Sequence, residues 1–351
     1  MVVGQNFGVA SPVDEGFDLP LCFLLREFQF QRRLQAVMIT YDELKTQPKA
    51  FLSATGITVA EFERLLPAFT TAYQARYRAD KTVAGLPRQR QAGGGPKGNL
   101  PRMEDKLLFI LVYQKTYPLQ TMLGLHFGLS QPQANEWIHR LTPILQEALA
   151  ALKLKPAREA SSLADSEAMQ ALPADLLMDG SERRQQRPQD KTEQQEQYSG
   201  KKKAHTDKNL LLVHAQTKQV LYLGPTEPGK RHDKKLADQE GIAYPLGTTL
   251  GKDSGFQGYE PPGIVTHQPK KPRGRQLAVE DVFLNRIISG CRIQVEHVIA
   301  AVKRCRIVKE TFRNTKEGFS DRAMEVACGL HNLRVACRHP VPTLNLLDLC
   351  T

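Results

Sequence analysis

The sequence predicts an α/β fold, a mixed-sheet domain preceded by an all-α region that holds a helix-turn-helix. Three observations predict it. Up to about residue 150, apolar residues recur at helical spacing. Beyond residue 173 the pattern changes to short apolar or alternating runs bounded by Gly, Pro and Asp, as strands are. Two long helical patterns then close the chain, and strands followed by helices pack as an α/β domain with a mixed sheet.

In chain order, residues 1–40 show no sustained period around one apolar patch, Leu19 to Leu25, and read as a poorly ordered tail. Met38 opens a better-patterned segment, so translation is expected to begin naturally there, which N-terminal sequencing of the native product would decide. From Thr58 to about Ala79, Val59, Phe62, Leu65, Leu66, Phe69 and Tyr73 share helical spacing, and a loop rich in Gly and Arg, Pro87 to Pro101, follows. Met103, Leu107, Ile110 and Leu111 share one helix face that ends at Tyr117-Pro118. A short helix, Leu119 to Phe127, leads into the turn Gly128-Leu129-Ser130, where Ser130 is placed to cap the next helix and Pro132 to sit in its first turn. Trp137, Leu141, Ile144, Leu145 and Ala148 continue that helix, and Pro143 is expected to kink or restart it. Two helices joined by a short turn can insert the second into a DNA major groove, although an ordinary helical bundle has the same pattern. Gln131, Gln133, Asn135 and Arg140 are the side chains that would reach base edges or phosphates.

Lys153 to Ala171 reads as a linker. Leu176-Leu177-Met178, Asn209 to Ala215, Gln219 to Leu223 and Gly263 to Thr266 read as strands, and the closing helices run from about Val279 to Lys309, with a break near Gly290, and from Ser320 to Arg338. The resulting division is a tail over 1–40, a helical DNA-binding region over 41–155, a linker over 156–172, an α/β domain over 173–340 and a tail over 341–351.

Forty-eight Lys and Arg against 37 Asp and Glu give a formal charge of +11, which favours a polyanionic partner such as nucleic acid, although a bland basic surface fits the same composition. Six cysteines without a C-x-x-C pair point to reduced thiols, hence a cytoplasmic, nucleoid-associated location. No stretch approaches the ~20 apolar residues of a membrane span, so no membrane partner is expected.

Asp179 directly follows Leu176-Leu177-Met178 and is placed at or near the end of a buried strand. Asp253 lies among glycines in Gly251-Lys252-Asp253-Ser254-Gly255-Phe256-Gln257-Gly258, after another expected strand. Either aspartate alone reads more readily as a turn or capping residue than as a site. Arg292, Glu296 and Lys303 share a narrow polar stripe on a helix whose opposite side is apolar, which is a site or a solvated, charge-paired face.

The combination resembles the IS5-type and Harbinger-like transposases of the DDE superfamily. The resemblance is carried in order by Met178-Asp179-Gly180-Ser181-Glu182, Tyr198-Ser199-Gly200-Lys201-Lys202-Lys203-Ala204-His205-Thr206, Arg231-His232-Asp233, Asp253-Ser254-Gly255-Phe256-Gln257-Gly258 and Val295-Glu296-His297-Val298-Ile299. It covers roughly residues 58 to 338, including Ser130 to Ile138. It implies a ribonuclease H-like fold with Asp179, Asp253 and Glu296 as catalytic residues and metal ligands. The family's Tyr, Arg, Glu, Lys signature matches at Arg292, Glu296 and Lys303, with Ser289 where the family has Tyr.

That carboxylate set suits two hard divalent cations, Mg²⁺ or Mn²⁺, rather than zinc. Cys328, His331, Cys337 and His339 are the one alternative zinc set, and their helical spacing favours core packing. Lys201, Lys202 and Lys203, with Lys270, Lys271, Arg273 and Arg275, are expected to hold the DNA backbone beside the site, together with Arg292 and Lys303. The expected partners are double-stranded DNA, as transposon terminal inverted repeats and target, and a further copy of the chain in at least a dimer. A domesticated endonuclease and a non-catalytic DNA-binding regulator are the rival functions.

Overall fold

The computed structural model describes residues 38–78, 86–87, 98–163, 175–270 and 277–338. The tails expected over 1–40 and 341–351 lie outside them except for residues 38–40, as does the second half of the expected linker. The described residues from 39 onward form one compact unit.

Its helical part begins with α1 (Tyr41–Lys45), α2 (Pro48–Thr55) and α3 (Val59–Arg76). Thr58 and Glu61 close a capping box on α3, in which Glu61 N donates to Thr58 Oγ1 and Thr58 N donates to the Glu61 carboxylate. Tyr41, Phe51 and Phe62 pack ring on ring where these helices meet. The expected helices after residue 100 are present as α4 (Met103–Thr116), α5 (Gln120–Phe127) and α6 (Gln131–Ala151). Gly128 ends α5 at a φ of 65°, a conformation that favours glycine. Ser130 caps α6 as expected, but α6 runs on through Pro143 without restarting. Packing on both sides of the proline holds the helix together: Leu141, Thr142, Ile144 and Leu145 are all buried.

The sheet contains β1 (Asp175–Arg184), β2 (Tyr198–Ser199), β3 (Ala204–His214), β4 (Val220–Leu223), β5 (Glu227–Pro228), β6 (Thr249–Lys252) and β7 (Val265–His267). β1 lies at its centre, antiparallel to β3 and parallel to β6, which in turn runs parallel to β7. The far side of β3 takes β2, β5 and β4. Between strands lie α7 (Lys191–Gln197) and α8 (Asp233–Glu240), and the chain closes with α9 (Val279–Val302) and α10 (Phe319–Arg338). The mixed sheet and its helical preface are the fold class that the hydrophobic periods predict, consistent with a ribonuclease H-like domain. No break occurs at Gly290, where α9 is continuous, because one glycine costs a helix only about 1 kcal/mol.

Alternation along the strands divides the interior. Leu177, Leu211 and Val213 face one core, shared with α3 to α6, α9 and α10, whereas Leu176, Met178, Leu210 and Leu212 face a second with Ala237, Leu250 and Phe256. The helical region and the sheet are therefore joined through one continuous apolar interior. The described part of the expected linker is also packed in: Leu154 and Leu163 are buried, Ala157 bridges to Tyr222, and Arg158 pairs with Asp321 at 2.6 Å.

Candidate active site

The parallel register pairs Met178 with Lys252, so Asp179 and Asp253 occupy the next positions, one within β1 and the other just past the end of β6. Alternation turns both toward the side of Leu177, the side on which α9 packs. α9 brings Glu296 and Ile299 to the same place, with Lys303 just past its last turn. A cleft of about 350 Å³ is lined by Asp179, Asp253, Glu296, Lys201, Lys202 and Lys303. Residues separated by more than a hundred positions in the chain are thus gathered at one cavity.

Asp179 differs from the sequence expectation in one respect. It is not at the end of β1 but in its middle, because β1 continues to Arg184 against the long partner β3. What ends at Met178 is only the parallel pairing with β6. The Asp179 side chain accepts from Gly180 N at 2.7 Å, and Asp253 accepts from the amide and hydroxyl of Ser254 as the cap of a single turn, Ser254–Phe256. Lys303 Nζ donates to the Glu182 carbonyl at 3.0 Å. Burial pulls the Lys303 ammonium below the ordinary lysine value, with Lys202 and Arg183 adding to it and Asp179 and Glu182 opposing.

Sequence reasoning assigned no chemistry to Asp233, and its place in the fold explains the motif. The Asp233 carboxylate is wedged between Gly180 and Gly255, the residues one and two beyond the cleft's aspartates. A Cβ on either glycine would come within 2.8 or 2.7 Å of it. Lys208, itself buried, holds Asp233 at 3.0 Å and Glu182 at 3.5 Å, and donates to the Arg231 carbonyl at 2.8 Å. The signal in the sequence was the pair of glycines, which looked like turn formers and are also space for a carboxylate.

The remaining residues singled out are dispersed. Lys203 is exposed on the turn before β3 at a φ of 50° and does not line the cleft. Lys270 exchanges backbone bonds with the Asn285 side chain on α9. Lys271, Arg273 and Arg275 lie outside the described residues, as does the side chain of Arg292. At the helix-turn-helix, Gln133 Oε1 accepts from Ser130 N at 2.9 Å, so this side chain completes a capping box. Gln120 donates to Asn135 at 2.9 Å and accepts from Gln131, while Arg140 pairs with Glu136 and stacks 4.9 Å from the Trp137 ring centre.

For metals, the cleft offers carboxylate oxygens and is lined by no His or Cys, a donor set that suits a hard divalent cation better than zinc. Among the described residues no three His, Cys, Asp or Glu are already drawn together as a closed ligand set. Cys328 is fully buried and His331 is bonded to the Lys218 carbonyl, while His339 lies outside the described residues. No helix among the described residues is long and apolar enough to cross a membrane.

Comparison with known proteins adds the following. Residues 178–332 match the family described as DDE superfamily endonuclease, and residues 99–151 match the helix-turn-helix of DDE superfamily endonuclease. A probable transposase for insertion sequence element IS702 from Microchaete diplosiphon is 28% identical over 286 residues, covering 81% of this chain and 98% of that protein. No solved structure matches the chain. With both family segments matched in order and a transposase relative aligned along most of its length, the chain belongs to the DDE superfamily of transposases.

Proposed function

We propose that the protein is a DNA transposase that binds transposon ends and performs metal-dependent phosphodiester cleavage and strand transfer, with Asp179, Asp253 and Glu296 as the catalytic carboxylates. The observation that carries this reading is the convergence of those three carboxylates with Lys201, Lys202 and Lys303 on one cleft. Carboxylates alone would repel a phosphate, and lysines alone would hold it without chemistry. Together they fit a backbone phosphate approaching a cationic cofactor.

Asp179, Asp253 and Glu296 would hold the cations, as hard oxygen donors on a strand, a turn and a helix. Mg²⁺ or Mn²⁺, two ions in all, would supply neutralisation of phosphate charge and activation of the attacking oxygen. Asp179 is held by a central strand and Asp253 by its own turn, so both are set before DNA arrives. Lys303, anchored on the Glu182 carbonyl, directs its ammonium from the cleft wall, and Lys201 and Lys202 extend the positive wall beyond it. Residues 41–155 would bind duplex DNA through the helix-turn-helix matched over 99–151, and a synaptic complex would need at least two copies of the chain. The reaction suits the cytoplasm and nucleoid, where DNA is accessible.

The test uses duplex DNA carrying the inverted repeats that flank the gene. Wild type should nick it only with Mg²⁺ or Mn²⁺, and Asp179→Asn, Asp253→Asn or Glu296→Gln should each lower the rate roughly 10³-fold or more with DNA affinity retained. A double variant should lose little beyond a single one, because the three act as a unit. Glu296→Gln nicking at a comparable rate would overturn the assignment of the third carboxylate. Nicking without strand-transfer products would make the protein an endonuclease alone, and DNA binding without metal-dependent nicking would make it a regulator.

A further inference from the structure

A second cavity, of about 880 Å³, opens beside the first and has a different chemistry. Its walls are Arg187 beyond β1, one face of α7, the β2–β3 hairpin and Lys230 beyond β5. Lys191, Gln194 and Gln195 stand at i, i+3 and i+4 on α7, with Tyr198 one turn further on, so they share a face. Glu193 and Glu196 fall on the opposite side and are not part of the lining. The acids of this helix thus point away, and neither Lys191 nor Lys230 is ion-paired among the described residues.

Three features look built for a ligand with both charge and a flat apolar face. Tyr198 is 43% exposed, and its ring meets the edge of His205, its cross-strand partner, at 5.7 Å and 70°. Arg187 is fixed by two bonds to Gln194 Oε1, of 3.0 and 2.8 Å, while Gln194 Nε2 donates to the Pro188 carbonyl at 2.8 Å. Gly229 lets the loop bearing Lys230 lie against β3, for a Cβ there would stand 2.8 Å from the Thr206 carbonyl. The two cavities meet at one turn: Gly200 lines this one, and Lys201 and Lys202 line the carboxylate cleft.

We propose that this cavity binds an unpaired stretch of the DNA strand leaving the carboxylate cleft, with a base stacked on Tyr198 and its phosphates held by Arg187, Lys191 and Lys230. The proposal rests on the reading of the neighbouring cleft as a DNA-processing site. Cations along a groove with an exposed aromatic platform are the arrangement that single strands use, since every base has a π-face and every linkage a charge. Gln195 offers an amide to a base edge without requiring a particular sequence.

The experiment compares the full chain on two fluorescein-labelled probes, a blunt duplex ending in the flanking repeat and the same duplex with an unpaired flank of about six nucleotides containing 2-aminopurine. Wild type should bind the flanked probe more tightly and quench the 2-aminopurine. Tyr198→Ala should remove the quenching and weaken flanked-probe binding on the order of tenfold, with blunt-duplex binding unchanged. Tyr198→Phe should behave as wild type, because the ring and not the hydroxyl does the stacking. The double change Lys191→Gln, Lys230→Gln should weaken the flanked probe and flatten its salt dependence. Wild-type affinity and quenching in both altered proteins, with duplex binding and metal-dependent nicking intact, would overturn the second site and leave the function of the cleft standing. Failure of the unaltered protein to bind either probe would overturn both.

Discussion

Removing the carboxylate wedged behind the cleft should damage the fold and the chemistry by separable amounts. Lys208 has 7% of its side chain exposed and is flanked by Glu182, at 8%, and Asp233, at 24%. Breaking a fully buried ion pair from one side costs about 3–5 kcal/mol. Glu182 would remain at 3.5 Å and water reaches a quarter of Asp233, so Asp233→Ala should cost about 2 kcal/mol, and Asp233→Asn about half that. Urea unfolding of the full chain reads this directly as a shift in midpoint at constant slope. With Lys208→Met as the second change, the cycle should show a coupling of about 1–2 kcal/mol. Losing the wedge also frees Gly180 and Gly255 to move, and with them the carboxylates of Asp179 and Asp253. A displacement near 1 Å costs on the order of 10²-fold in rate, so nicking by Asp233→Asn should fall while affinity for duplex DNA holds. If Asp233→Ala unfolds within 0.5 kcal/mol of wild type and the cycle shows no coupling, the wedge carries no load and the reasoning fails.

Other expectations follow from single contacts. Burial raises the Glu240 carboxyl to about 7, with Tyr222 and Arg158 opposing and Glu227 adding. Its protonated form is the one the fold prefers, so the associated stability is complete below the unfolded value near 4.5 and is lost as pH rises through about 7. Roughly 3 kcal/mol is at stake, and Glu240→Gln should flatten the melting temperature across that window; an unchanged pH profile would refute the assignment. Gly124→Ala would drive a methyl into the Leu129 carbonyl oxygen in the turn of the helix-turn-helix, and should lower stability by about 1–3 kcal/mol by calorimetry along with duplex affinity. Gln133→Ala removes half of the α6 capping box, so it should cost about 1 kcal/mol in stability, with Gln133→Glu near wild type; a normal melting temperature for Gln133→Ala would return this side chain to the set of base readers.

Much of this was legible because period and burial are coupled. Helical spacing identified α3 to α6, and short apolar runs identified β1, β3 and β4, whose central residues are buried on both faces of the sheet. The carboxylates were legible through motif order rather than local chemistry, since an aspartate before glycine is indistinguishable from a turn until a parallel register sets it beside another. The role of Asp233 was hidden for the same reason: its partners Gly180, Gly255 and Lys208 are distant in sequence. Proline and glycine misled in the same way. Pro143 and Gly290 both stand in helices that run past them, because a local preference of at most about 3 kcal/mol yields to tertiary packing.

The apolar interior common to the helix-turn-helix and the sheet has a geometric outcome for any DNA held at both. Phe319 of α10 meets His139 of α6, and Leu149 of α6 fills the space above Gly329 of α10, so the two parts have no hinge between them at that seam. On the proposed function the protein would then be a ruler: the distance from the recognised sequence to the cut would be set by the body of the molecule and not by the reach of a tether. Inserting two or three base pairs between repeat and cleavage point should abolish cutting instead of moving it, and inserting a whole helical turn should not rescue it.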